Sequence, residues 1–177
     1  MMRMNLAVVG SLCLSALSVM AQFSPPKPSE TLFRANEWSV DPFGSVSVRQ
    51  ETINRFSQQR VRQDGRLGAG LGVNYFFTRN IGFGADAYTE DTRHNFVDNA
   101  SGNFIYRFPF DSVHLAPYVY GGGGHQFDPF DQWFAQAGAG LEVRFTPHLG
   151  VFTDGRYVFT DGTKNFGLAR FGVRVSF

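Results

Sequence analysis

The chain ends on a strict alternation. In Arg170-Phe171-Gly172-Val173-Arg174-Val175-Ser176-Phe177, the apolar residues Phe171, Val173, Val175 and Phe177 fall on one side. Arg170, Gly172, Arg174 and Ser176 fall on the other. Period two marks a strand with one apolar and one polar face. The same alternation returns throughout the chain from residue 38 onward, and it predicts eight strands, at 38–48, 67–77, 81–89, 101–110, 114–122, 133–145, 149–159 and 166–177. The apolar face carries Trp38, Val40, Val46 and Val48 in the first, then Leu67, Leu71, Val73, Tyr75 and Phe77 in the second. Ile81, Phe83, Ala85 and Ala87 follow in the third, and Phe104, Tyr106, Phe108 and Phe110 in the fourth. The fifth is expected to turn Ala116, Tyr118 and Tyr120 outward. The sixth presents Trp133, Leu141, Val143 and Phe145, and the seventh Leu149, Val151, Tyr157 and Phe159.

Strands of about ten residues match a tilted membrane-spanning strand. An even number of them returns the chain to the side where it began. The connections alternate in length. Short turns are expected at 78–80, near 111–112 and at 146–148, and longer links at 50–66, 90–100, 123–132 and 160–165. Gly68-Ala69-Gly70-Leu71 is echoed by Gly138-Ala139-Gly140-Leu141, each followed by a strand, a turn opened by Thr and then Ile81-Gly82 or Leu149-Gly150. The copies differ by two residues, which preserves the facing of every side chain. Aromatic residues gather at both strand ends. Tyr75, Phe77, Phe108, Phe110, Phe145 and Phe177 lie by the short turns, and Tyr118, Tyr120, Trp133, Tyr157 and Phe159 lie toward the long links. Two such belts suit the two interfaces of a bilayer. A soluble sandwich would instead turn the same aromatic faces into its core.

Composition fits this picture. The 177 residues include 20 Gly and 20 Phe, and the net charge of +1 gives no basis for nucleic-acid binding. Mean hydropathy is −0.17. A barrel strand averages lipid-facing and lumen-facing residues in any hydropathy window, so that value does not argue for a soluble protein.

The amino-terminal end reads as a secretory signal. Arg3 precedes an apolar run from Leu6 to Val19, and Val19-Met20-Ala21 offers small residues for cleavage before Gln22. Cys13 follows Leu12 rather than a small residue, which excludes a lipoprotein signal. The expected organisation is a cleaved signal peptide at 1–21, a periplasmic leader at 22–36 and a barrel domain at 37–177. Pro25, Pro26 and Pro28 keep the leader out of any ladder. Without Cys13 the mature chain has no thiol.

The carboxy-terminal pattern resembles the terminal sorting signal of bacterial outer-membrane barrels, with Arg170, Gly172, Val175 and Phe177 in its places. Val175 departs from the more usual aromatic. From about Trp38 to Phe177, the chain is similar to the small barrel families typified by the OmpA transmembrane domain, OmpX and the opacity-type proteins. That resemblance implies an all-β, antiparallel up-and-down transmembrane barrel of about eight strands in the outer membrane. It implies insertion by the barrel-assembly machinery, contact with outer-membrane lipid and lipopolysaccharide, and a monomer. Unlike full-length OmpA, the sequence stops at the last strand, so a peptidoglycan-tethering role is not carried over.

Function must come from the lumen or the loops. The inward face is expected to hold Asp41, Asp86, Arg107, Glu142, Arg144, Asp154, Arg156, Arg170 and Arg174. Carboxylates and guanidiniums of this kind can neutralise one another across a lumen that eight strands leave just wide enough for side chains. A polar plug is the expectation, with an ion path or small-ligand pocket as the alternative, since inward glycines such as Gly70 and Gly140 remove volume. The first long link carries Arg49, Arg55, Arg60, Arg62 and Arg66, suited to phosphate. The resemblance also admits a lipid A-modifying enzyme, but among the histidines only His125, with Asp128 and Asp131, suggests such catalysis, and no serine lies near it in sequence. Metal-ligand spacing and a phosphate-binding glycine loop are lacking. The expectation is a non-enzymatic protein without cofactor or metal, acting through its outer loops.

Overall fold

The structure is a computed structural model that describes residues 31–49, 52–53, 60–61, 66–89, 97–127, 131–161 and 165–177, with backbone only at 48–49, 52–53 and 60–61. The expected signal peptide and most of the leader lie outside the described residues. The strands are β1 (Glu37–Arg49), β2 (Thr52–Ile53), β3 (Arg60–Val61), β4 (Arg66–Phe76), β5 (Ile81–Thr89), β6 (Asn99–Arg107), β7 (Leu115–Gln126), β8 (Gln132–Thr146), β9 (Leu149–Thr160) and β10 (Phe166–Ser176). β2 and β3 form a small separate hairpin within the first long link. The other eight pair antiparallel with their neighbours, and β1 closes the circle by pairing with both β4 and β10. A closed barrel leaves no unpaired edge.

The wall is inside-out relative to a soluble protein. Among the described residues, 22 polar or charged side chains are buried against 14 hydrophobic ones, while large residues such as Leu71, Phe83 and Phe171 stand exposed. Charged residues are almost never fully buried in water-soluble folds unless paired. This rules out the soluble sandwich, whose aromatic faces would pack inward.

Thr78 and Thr146 explain why the echoed segments turn alike. The Thr78 Oγ1 accepts from the backbone N–H of Asn80 (3.2 Å) and Ile81 (2.9 Å). The Thr146 Oγ1 does the same for His148 (3.2 Å) and Leu149 (3.0 Å). A hydroxyl satisfying the turn's free donors favours a tight reversal. The third short connection contains a single 3-10 turn, Asp111–Val113, closed by His114 in the left-handed region at φ 58°.

The fifth strand differs from expectation. Ala116, Tyr118 and Tyr120 face the lumen, with at most 7% exposure, and Leu115, Pro117 and Val119 take the outer side. The strand also runs on to Gln126, which shortens the third long link to 127–131. Both tyrosines therefore leave the outer aromatic belt. Several of the other belt residues meet a neighbouring ring on the wall: Tyr75 meets Trp38 (4.7 Å between ring centres), Phe108 meets Tyr106 (4.8 Å) and Tyr157 meets Phe159 (4.9 Å).

Candidate functional site in the barrel lumen

The nine lumen residues singled out in the sequence all point inward, and they fall into two clusters. The cluster nearer the short turns also contains Glu37, a residue that the sequence reading left out of the network. Glu37 stands at the start of β1 and reaches strands on the far wall. Its carboxylate accepts from Arg107 at 3.0 Å and from Arg144 at 2.6 and 3.1 Å. Glu142 accepts from Arg144 Nε and from Arg174, and lies 3.8 Å from Arg107. Arg174 also donates to Asp41, its Nε at 3.0 Å from each carboxylate oxygen. Asn74 Nδ2 donates to the same Asp41 at 2.6 Å. Glu37, Glu142, Arg107 and Arg144 have no exposed side-chain surface.

The second cluster sits further toward the long links. Arg170 holds Asp154 in a two-pronged bridge, both distances 2.8 Å, and touches Asp86 at 3.2 Å. Tyr118 and Tyr120 donate their hydroxyls to the same Asp154 at 2.8 and 2.9 Å. Those bonds explain the facing of β7, because a phenol aimed at lipid would leave Asp154 with fewer donors. Arg156 joins Asp86 (3.2 Å) to Gln136 (2.7 Å). Planar guanidiniums pair bidentately with carboxylates and also stack on rings. Arg107 lies 3.8 Å from the Phe76 ring centre, and Arg170 lies 4.8 Å from that of Phe43.

The two clusters balance. Glu37, Asp41, Asp86, Glu142 and Asp154 supply five carboxylates, and Arg107, Arg144, Arg156, Arg170 and Arg174 supply five guanidiniums, each within 4 Å of an opposite charge. The space left between the clusters is on the scale of about one water molecule. An apolar layer of Tyr88, Phe134, Val158, Phe166 and Leu168 fills the barrel beyond them.

At Gly70, Gly138 and Gly140 rings from neighbouring strands occupy the space that the missing side chains leave. A Cβ at Gly140 would lie 2.5 Å from both the Tyr118 ring and the Asp154 Cβ. One at Gly138 would lie 2.6 Å from the Tyr120 ring, and one at Gly70 would lie 2.5 Å from the Phe43 ring. Overpacking of this kind costs about 1–3 kcal/mol, so Gly140→Ala should lower unfolding stability in lipid vesicles by that amount. Gly155→Ala, on the outer wall where a Cβ meets nothing within 4 Å, should show no such loss.

Arg66 is exposed at the start of β4, while Arg49 and Arg60 are described by backbone alone and Arg55 and Arg62 lie outside the described residues. His125 faces outward at the long-link rim. Its Nε2 lies 3.2 Å from Asp131, and its ring packs on Trp133 (4.7 Å) and Phe127 (5.0 Å). Asp128 lies outside the described residues. At the end of β10, Arg170, Gly172 and Arg174 face the lumen, Val175 lines the wall and Phe177 is exposed, its N–H donating to Trp38 O at 2.9 Å. Among the described residues no three His, Cys, Asp or Glu side chains are grouped to hold a metal.

The closed eight-strand wall has counterparts among solved structures. The amino-terminal β-barrel domain of Pseudomonas aeruginosa OprF superposes with a TM-score of 0.60 at 21% identity, covering 81% of this chain and 99% of that one. The chain has the fold of the small outer-membrane barrels. The outer-membrane protein OprG from the same organism gives 0.55 at 13% identity, covering 81% and 97%. Ail, the attachment invasion locus protein of Yersinia pestis, gives 0.54 at 16%, covering 81% and 99%. No family model and no curated protein matches the sequence.

Proposed function

We propose that this protein is an integral outer-membrane barrel, exported with residues 1–21 removed, that has a structural or surface-interaction role and no catalytic one. The observation that carries the reading is the lumen, where five carboxylates meet five guanidiniums and rings fill the space beside Gly70, Gly138 and Gly140. Paired charges with space for about one water between them favour neither a pore nor a ligand carrier, and interaction then falls to the long-link side. His125 packs against aromatic rings on the outer wall, a setting that favours anchoring at the bilayer interface.

The partner that suits the first long link is phosphate-bearing lipopolysaccharide, which Arg49, Arg55, Arg60, Arg62 and Arg66 would meet through charge-assisted hydrogen bonds. Ail, a barrel of the same fold, has been crystallised in complex with the heparin analogue sucrose octasulfate, so an anion-binding small barrel has precedent. A basic side chain near an anionic lipid surface contributes about 1 kcal/mol. Arg55→Ala/Arg60→Ala/Arg62→Ala should therefore weaken capture of lipopolysaccharide by the vesicle-embedded barrel roughly a hundredfold, with the effect shrinking in high salt. Undiminished capture by the triple variant would remove this loop from the function.

A further inference from the structure

We propose that residues 31–36 are a strap that seals the short-turn mouth of the lumen. The mouth is where four charged side chains, Glu37, Arg107, Glu142 and Arg144, reach zero exposure. Charges at the open end of a barrel would be hydrated. Here Leu32 and Phe33 cover them, themselves 1% and 0% exposed and packed with Ala116 of β7.

The wall grips the strap mainly by its backbone. Arg144 donates to the carbonyl oxygen of Leu32 at 3.0 Å, Arg79 to that of Phe33 at 3.0 Å and Arg107 to that of Arg34 at 3.4 Å. These arginines come from the β8 end, the β4–β5 turn and the β6 end, so three separate parts of the wall hold three consecutive carbonyls. The Leu32 N–H donates in return to Asp111 at 3.1 Å, and Asp111 is itself bridged to Arg79. The guanidiniums of Arg107 and Arg144 flank the Phe33 ring at 5.0 and 5.1 Å. Asn36, in the left-handed region at φ 55°, turns the strap into β1, and Tyr75 on the outer wall donates to its side-chain oxygen at 3.1 Å. Leu32 and Phe33 are thus the two side chains that stopper the mouth, and Asn36 is the hinge between stopper and wall.

Cysteine labelling tests the strap. In a Cys13→Ser background, Ala116→Cys places the sole thiol directly beneath Leu32 and Phe33, and cysteine packs as a small hydrophobe. The barrel is refolded into lipid vesicles and exposed to a small water-soluble methanethiosulfonate. The intact barrel should label at least about tenfold more slowly than the urea-unfolded chain, as expected for a group reached only by local opening. Adding Leu32→Ala/Phe33→Ala should bring back most of the labelling rate while the gel shift between boiled and unboiled samples persists. Labelling of the intact barrel at the unfolded rate overturns the proposal, and this comparison decides even where the double variant does not fold. A folded double variant as protected as the intact barrel also overturns it.

Discussion

Glu142→Ala should cost the barrel about 3–5 kcal/mol, the usual penalty for leaving a buried charge uncompensated. Glu142 is fully buried among three guanidiniums, those of Arg107, Arg144 and Arg174. Its removal leaves five positive charges against four negative in a space closed to water. The excess charge, more than the missing bonds, is what costs stability, and a second substitution separates the two. Arg107→Met in the same chain restores four against four. Glu37 would keep Arg144 on both of its oxygens, so no carboxylate is stranded. The double variant should therefore recover part of the loss, a coupling that a double-mutant cycle in urea unfolding from lipid vesicles would read directly. Additive losses would mean that the network is held by packing and that charge balance is incidental.

Charge balance was only partly legible in the sequence. Parity places Asp41, Asp86, Arg107, Glu142, Arg144, Asp154, Arg156, Arg170 and Arg174 inside because each falls opposite the apolar face of its strand. Those nine residues give four negative charges and five positive. The missing carboxylate is Glu37, which the alternation leaves just outside the predicted 38–48 strand and which the structure places as the first residue of β1. Trp38 faces out, so the rule that faced the other nine also turns Glu37 in. The boundary was obscured because the strap before it is neither a strand nor free leader. Leu32 and Phe33 have no periodic context, and only the assembled wall shows what they cover.

β7 fails for a different reason. From Leu115 to Tyr120 both faces are apolar, so alternation gives two equally good registers, and the run Gly121 to Gly124 cannot choose between them. Two features off the strand decide it. Asp154 on β9 needs donors, and Gly138 and Gly140 on the intervening β8 leave room for rings to cross the wall toward it. A phenol is half apolar and half donor, so its facing follows its partner. Glycine in the sequence is likewise ambiguous between a small cavity and room for a side chain from another strand, since its absent side chain says nothing about which neighbouring ring fills the gap.

Leu71→Arg should destabilise the barrel by about 2–4 kcal/mol in a bilayer, the cost of a cation on the lipid face at the midplane. Leu71 is the middle residue of β4, exposed on the outer wall, with Pro42 and Ala87 as cross-strand partners. Leu67 lies on the same face near the long-link end of that strand and is as exposed. Near the interface the same substitution costs about 0–1 kcal/mol, because a long side chain reaches the headgroups there. The pair is therefore a depth gauge built from one strand and one chemical change. If water rather than lipid bathed the wall, Leu71→Arg and Leu67→Arg would be equally harmless, since each would move an exposed apolar side chain to a charged one. Equal folding free energies for the two variants in vesicles would thus contradict the membrane assignment itself. A loss at 71 that fades at 67 would place the hydrocarbon boundary between them and set the long links on the water side.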